Sequence, residues 1–253
     1  LWVQSLFIVL ITVLIGLMVR TRIRIIRNNA NEKILRERKV FELEQMALRS
    51  QMNPHFIFNS LNSIQQYVFA GDVIEANEFI TSFSALIRQT LYISAKKFIT
   101  LAEEIKYLDT YLGLERSKYE NAFNFQILKD EHIHENLSIP PLLLQPFIEN
   151  SIRHGVLNIQ HGVGKISVRF FIKNNLLHCI IEDNGIGRKN AMKFKNDIFS
   201  NHQSKGMELV RKRIESLNSI YNVNIEVLVE DINEENKTGT RVNIKMPLSY
   251  DEY

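Results

Sequence analysis

The stretch "QMNPHFIFNSLNSIQQY", residues 51–67, sets His55 directly after Pro54, with Phe56 behind it and asparagines at 59 and 62. A neutral imidazole is a competent nucleophile near neutral pH, because its ordinary pKa is about 6.5. Ile57, Leu61, Ile64 and Val68 recur at i, i+4, i+7 and i+11, one apolar stripe of an α-helix. His55, Asn59, Asn62 and Gln66 repeat that period two residues earlier, about 200° around the axis. His55 therefore heads a polar face opposite the apolar one and is expected to reach solvent. Pro54 lacks a backbone donor and clashes with the preceding turn, so the helix is expected to kink or restart just before His55. From these residues alone, His55 is either a surface histidine without a task or a nucleophile.

A second set of residues has the chemistry to hold a nucleotide. "EDNGIG", 182–187, places Asp183, Gly185 and Gly187 in a turn after a β-rich run, although Asp-Asn-Gly by itself is ordinary turn chemistry. "ENSIRHG", 149–155, puts Glu149 and Asn150 on a helix with Arg153 and His154 one turn later. A carboxylate or amide oxygen there suits Mg²⁺, which takes a few protein oxygens and leaves the rest to water and phosphate. Arg153 and His154 would face the phosphates. Gly206 is expected to open a helix whose free N–H groups hold phosphate oxygens. Gly239 and Thr240 are expected to open the last strand.

The elements that must position these groups read in a clear order. Residues 1–19 carry no charge and are long enough to cross a bilayer as a helix. Arg20, Arg22, Arg24 and Arg27 follow the apolar run instead of preceding it, which is unlike a signal peptide. By the positive-inside rule everything after Arg20 faces the cytoplasm, with the chain anchored in the cytoplasmic (inner) membrane. The chain begins with leucine, and the expectation is that it is the C-terminal part of a longer protein. The net charge of +3 is concentrated in that arginine cluster; the remainder is near neutral, which argues against a nucleic-acid-binding surface.

Residues 20–50 are charge-rich, with Val40, Leu43 and Ala47 at i, i+3 and i+7, and are expected to form a juxtamembrane helix or coiled coil. Residues 51–120 read as three helices. The first is the His55 helix, and the second, carrying Phe79, Ile80, Phe83, Leu86, Ile87 and Leu91, follows the turn at Gly71-Asp72. Each helix of that hairpin has one apolar face, so two hairpins would close a four-helix bundle in a homodimer. From residue 121 to 248 the texture becomes mixed. "FNFQIL" is strand-like, "IPPLLLQPFIENSIRHG" is a loop and buried helix ended by Gly155, and "GKISVRFFIK" and "NLLHCIIEDNG" form a hairpin through Asn174-Asn175. A helix over 206–221 and two last strands complete an α+β chain. Cys179, the single cysteine, sits in an apolar run and reads as a buried, inert thiol.

Over roughly residues 35–248 the chain resembles the cytoplasmic part of the LytS-type sensor histidine kinases. "NPHFIFNSLN" matches that family's phosphoacceptor motif, "QPFIENSIRHG" its asparagine motif, "DNGIG" its first glycine motif, and "GT" at 239–240 the threonine of related ATPases. The resemblance implies a dimeric helical domain carrying a phosphorylated His55 and a Bergerat-type α/β sandwich that binds ATP. It further implies that Asn150 holds Mg²⁺, that Asp183 accepts the adenine amino group, and that Gly185 and Gly187 shape the start of a lid over residues 188–204. Arg153, His154, Gly206 and Thr240 would complete the ATP site. The implied partner is a response regulator, in this family one with a LytTR-type DNA-binding domain. Two departures stand out: Ser204 in "SKGMEL" occupies a position usually held by glycine, and Leu209 one usually held by asparagine. Phe56 also stands where many other histidine kinases carry an acid. A catalytically weak, membrane-tethered nucleotide-binding scaffold is the alternative reading.

Overall fold

The computed structural model describes residues 2, 14–28, 54–188, 200–234 and 237–250. The chain divides into two compact units, Leu1–Ala47 and Leu48–Tyr253. In the first, residues 14–28 are helical, with Leu14, Ile15, Leu17 and Met18 exposed. Among the described residues no helix is long and apolar enough to cross a membrane. The expected span over 1–19 lies largely outside the described residues, as does the expected coiled coil.

The second unit opens with a helical hairpin. Helix α1, Pro54–Ala70, turns at Gly71 into α2, Val73–Ser94. Gly71 holds a φ of +82°, a left-handed conformation that glycine adopts without a Cβ penalty. The face of α1 that meets the rest of the unit differs from the expected one. Phe56, Ile64 and Tyr67 pack on the core beside the buried Ser60 and Ser63, whereas Leu61 and Val68 are 46% and 58% exposed. Residues 56, 60, 63 and 67 have the same helical spacing as 57, 61, 64 and 68, rotated by one residue. Aromatic contacts decide between the two: Phe56 meets Phe83 and Tyr111, each at 6.0 Å between centroids, and Tyr67 meets Phe79 at 5.8 Å. The serines are small enough to let the helices approach.

Strand β1, Ile99–Thr100, leads into helix α3, Leu101–Lys118. A capping box starts that helix: the Thr100 hydroxyl accepts from the Glu103 amide, and the Glu103 side chain accepts from the Thr100 amide. Arg116 and Lys118 in the last turn complement the helix dipole. Strand β2 runs from Phe123 to Lys129, and the short β3, Ser138–Ile139, pairs antiparallel with β1. Helix α4, Gln145–Asn150, continues into a π turn, Ser151–Gly155, and a 3₁₀ turn, Val156–Asn158. Strands β4, Gly164–Lys173, and β5, Leu176–Asp183, form the expected hairpin, and Asn174 and Asn175 adopt φ of 51° and 59°. Helix α5 is Ser200–Tyr221, and a last hairpin joins β6, Glu226–Glu234, to β7, Lys237–Pro247.

Five strands make one mixed sheet in the order β2-β4-β5-β7-β6, parallel between β2 and β4 and antiparallel elsewhere. Period-2 alternation gives it one buried face. Ile166, Val168 and Phe170 of β4, Leu177, Cys179 and Ile181 of β5, and Val242, Ile244 and Met246 of β7 all enter the core. Leu108 and Leu112 of α3, Phe147 and Ile148 of α4, and Val210 and Leu217 of α5 belong to the same core. The described chain is thus α+β, with helices on one face of the sheet.

Phe170, on β4 between β2 and β5, is fully buried. Phe170→Ala is expected to lower unfolding free energy by about 3–5 kcal/mol, the usual cost of emptying an aromatic core site. Thr100→Ala, which removes half of the capping box, is expected to cost only about 1 kcal/mol. Denaturant unfolding followed by circular dichroism reads both.

Candidate active site

The apolar row Leu177, Cys179, Ile181 on β5 ends with a carboxylate. Asp183 has the same strand parity and therefore points to the buried face, where it is 4% exposed. Burial pushes its pKa up, since the charged form loses water. Three donors oppose that push. The Ser151 hydroxyl donates to Oδ2 at 2.8 Å, and the Gly185 and Thr240 amides donate to Oδ1 at 2.9 and 3.3 Å. The negative charge of Asp231 adds to the upward side.

Glycines make this convergence possible. A Cβ on Gly155 would stand 2.8 Å from Asp183 Oδ1, and one on Gly185 would stand 2.3 Å from the Gly155 Cα. A Cβ on Gly239 would come within 1.9 Å of the Asp183 carbonyl oxygen. Asp183 pairs in register with Thr240, so the β5–β7 ladder sets the distance between the carboxylate and the last strand. The π turn supplies the other side, with the Ser151 hydroxyl bonded to Asp183 and Gly155 lying against it. Gly187, at φ +74°, lies against Gly239.

Asn150 ends α4 half-buried, and its amide nitrogen donates to the Met207 sulfur at 3.0 Å, which links α4 to α5. Glu149 and Arg153 form an i, i+4 ion pair at 3.3 Å, and Arg153 and His154 are half-buried. The pair's charges reach α3: burial pushes both Tyr111 and Glu115 up, Glu149 adds to the push, and Arg153 opposes it. Glu115 is held down chiefly by Lys118, its ion-pair partner at 2.5 Å. Tyr111 also touches Phe56, the neighbour of His55, so one α3 side chain meets both the start of α1 and the end of α4. The backbone of His55 lies in the first turn of α1; its side chain lies outside the described residues.

The structure groups Asp183, Gly185 and Thr240 in direct hydrogen bonds and places Asn150, Arg153 and His154 on the adjoining helix and turn. Two expectations are corrected. Gly206 does not open a helix, because α5 starts at Ser200. Residues 200–205 contain no proline to stop it, and an interior glycine costs only about 1 kcal/mol. The donor-rich end of α5 is therefore at Ser200, and the last five residues of the expected lid are helical. Thr240 does not open the last strand either: β7 begins at Lys237, because the polar residues around 233–238 extend the hairpin. Residues 189–199 of the expected lid lie outside the described residues.

Ser151, Gly155, Asp231 and Arg188 are additions to the expected set. Ser151 and Gly155 both stand in "ENSIRHG", and their i, i+4 spacing was the available signal. The Arg188 backbone amide and guanidinium both donate to Asp231 Oδ1 at 3.1 Å, fastening the residue after the glycine turn to β6. An open cleft of 1210 Å³ adjoins Asp183 and Gly185 and is lined also by Asn158, His161 and Lys165. Asn150, Arg153 and Gly206 do not line it. The hydrogen bonds on Asp183, rather than the cleft, mark the site.

Residues 43–123 match the family described as histidine kinase. The sensor protein LytS of Bacillus cereus is 30% identical over 156 residues, which cover 62% of this chain and 26% of that protein. The sensor histidine kinase/phosphatase LytS of Staphylococcus aureus is 34% identical over 148 residues, 58% of this chain and 25% of that protein. The chain thus spans about a quarter of the length of these curated relatives. Among solved structures, the histidine kinase domain of the blue-light activated kinase from Erythrobacter litoralis aligns at 18% identity and a TM-score of 0.41, covering 66% of this chain and 75% of that one. With the His55 stretch on α1, the Asn150 stretch on α4 and the glycine turn closing on Asp183, this chain is similar to the LytS-type sensor histidine kinases, and residues 43–123 carry the histidine kinase match.

Proposed function

We propose that the chain is the kinase part of a membrane-bound two-component sensor, transferring the γ-phosphoryl group of ATP to His55 and from there to an aspartate of a response regulator. The observation that carries this reading is Asp183, a buried carboxylate held by three donors between the last strand and the π turn. Such a group offers a fixed acceptor to the exocyclic amino group of adenine. Guanine, with a carbonyl there, would meet it badly.

Arg153 and His154, one turn beyond Asn150, stand ready to balance phosphate charge. The hydrogen bond on Asn150 uses its amide nitrogen, which leaves the amide oxygen, the atom Mg²⁺ takes. A Mg²⁺ ion held there would neutralise charge building up on the transferring phosphoryl group. A ring nitrogen of His55 forms the new P–N bond while the bond from the γ-phosphorus to its bridging oxygen breaks. ADP leaves with that electron pair, and the imidazole proton passes to water. In the second transfer a regulator carboxylate oxygen takes the phosphorus as the P–N bond breaks, and the freed ring nitrogen takes a proton from water to regain neutral imidazole. A regulator with a LytTR-type DNA-binding domain is the partner the family suggests.

The exposed row through Leu61 and Val68 supports a homodimer, since an apolar stripe on a bundle helix wants a partner. Leu61→Asp places a charge in that interface and is expected to shift the detergent-solubilised chain from dimer to monomer in sedimentation velocity. A variant that stays dimeric places the contact elsewhere.

Asp183→Asn replaces an acceptor-only carboxylate with an amide that can present a donor. The loss of a charge-assisted hydrogen bond is expected to cost about 1.5–3 kcal/mol, at least about tenfold in ATP affinity by calorimetry. GTP is expected to bind poorly to both proteins. Unchanged ATP affinity removes Asp183 from the site.

His55→Gln is expected to leave the fold and ATP binding intact and to abolish phosphorylation, because an amide has no nucleophilic ring nitrogen. Labelled ATP followed by acid and base treatment reads the outcome, since phosphohistidine is acid-labile and base-stable. Base-stable label on the variant makes another residue the nucleophile. A wild type that binds ATP and takes no label is the nucleotide-binding scaffold instead.

A further inference from the structure

Helix α3 buries a carboxylate that the proposed phosphoryl transfer does not use. Glu104 is 0% exposed, and neither of its oxygens meets a hydrogen-bond partner in full geometry. It lies beneath the loop Pro140–Leu144, which leads into α4. That loop is held in an uncommon shape: Leu142 is buried at φ +55°, a left-handed conformation that costs a side-chain-bearing residue about 1 kcal/mol or more. A strained residue of this kind persists only where its surroundings over-determine it.

Two elements do so here. From α5, the Arg213 guanidinium donates to the Pro141 carbonyl at 2.6 Å. From α3, one turn beyond Glu104, the Tyr107 hydroxyl donates to the Gln145 side chain at 2.8 Å, at the first residue of α4. Glu104 lies between these anchors, near the Leu142 and Leu144 backbone and the Arg213 charge. Arg213 is eight residues beyond Lys205 on the same helix that follows the expected lid. The loop before Asn150 and the helix after the lid therefore share one buried counter-charge.

We propose that Glu104 is a positioning residue for the nucleotide site: ionised, it draws Arg213 and the Leu142–Leu144 backbone together and thereby sets where the helix bearing Glu149 and Asn150 begins. This rests on the reading of Asn150 and Asp183 as an ATP site. The groups that face Glu104 are few. Arg213 and the two backbone segments favour its charged form, while burial opposes it more strongly and leaves the carboxyl at about 7. Tyr107 on α3 and Cys179 on β5 feel its charge, and burial keeps both of them protonated well above neutral pH. Glu104 is thus the group in this cluster that changes charge near neutrality, and the anchored loop is the form favoured on the alkaline side.

The test uses the full chain and its Glu104→Gln variant, matched in volume but without charge. ATP with Mg²⁺ is titrated by calorimetry from pH 6 to 8.5, and amide exchange of residues 140–150 is followed without nucleotide. The wild type is expected to bind ATP more tightly as pH rises through about 7. The variant is expected to lose that gain, ending about tenfold weaker at pH 8, as for one lost charge-assisted contact. Any titration of ATP itself is common to both proteins and cancels in the difference. Amides 140–150 are expected to exchange faster in the variant at pH 8. Should Glu104→Gln not fold, Arg213→Met gives the same reading, with weaker binding and a pH midpoint moved upward. A variant that keeps the wild-type pH profile, or leaves exchange at 140–150 unchanged, overturns the proposal. If neither protein binds ATP, the nucleotide reading fails, and the exchange comparison still decides whether Glu104 orders the loop.

Discussion

Asp183 continues a row of three apolar side chains on β5, so strand geometry alone forces its carboxylate toward the core. Buried without partners, an ionised carboxylate would cost several kcal/mol, on the order of the penalty seen for unpaired buried ions. Ser151, Gly185 and Thr240 remove much of that cost, and each comes from a different segment. The π turn, the glycine turn and the last strand must therefore meet at one point. Gly155, Gly185 and Gly239 lack a Cβ at the contacts where any side chain would collide. The carboxylate and the glycines specify each other: without the acid the close approach has no purpose, and without the glycines the donors cannot reach.

Helix α3 carries the second level of organisation. Leu108 and Leu112 fix it in the core, while Glu104, Tyr107, Tyr111 and Glu115 stand on it as buried polar groups. Tyr107 reaches Gln145 at the start of α4, and Tyr111 meets Phe56 near the start of α1. Tyr67 of α1 also donates to the Ser117 carbonyl at 3.2 Å. The histidine helix and the asparagine helix are thus both referenced to one rigid element. Positioning is most of what the proposed phosphoryl transfer would ask of the protein, and a shared helix is one way to supply it.

Much of this was legible in the residues, for reasons that can be named. The β4–β5 hairpin follows from alternation over 165–170 within a β-rich run and from two asparagines, the residue type that best tolerates positive φ after glycine. Helix α3 was legible as a third helical segment, while its capping box at Thr100 and Glu103 appears in the structure. The motifs at 149–155, 182–187 and 239–240 meet around Asp183, although they lie up to 57 residues apart in hydrogen-bonded pairs. What was not legible is equally physical. Two stripes on α1 share one period, and the aromatic partners that choose between them, Phe83, Tyr111 and Phe79, belong to other helices. Nothing in "SIRHG" distinguishes a π turn from an α-helix, because the two differ only in the register of backbone hydrogen bonds. Gly206 looked like a boundary, but a single glycine does not stop a helix whose preceding residues all permit one. The electrostatic influence of Arg213 on Glu104 spans 109 positions and has no local signature at all.

These buried acids also decide how stability varies with pH. Glu104, Glu115 and Asp183 all have carboxyl groups raised above their ordinary values, each chiefly by burial. A raised acid binds its proton more tightly in the folded chain than in the unfolded one. Its contribution to stability is therefore full below the unfolded pKa and is lost as pH rises through the folded value. For Glu104 that window runs from about 4.5 to about 7. Protons favour the fold below about 7, whereas a charged Glu104 would order the loop before Asn150 above it, so stability and order at the site pull in opposite directions. Arg213 limits the conflict by offering the ionised form a counter-charge. An apolar residue at 104 would relieve it altogether, and would leave Arg213 and a left-handed Leu142 with nothing beneath them.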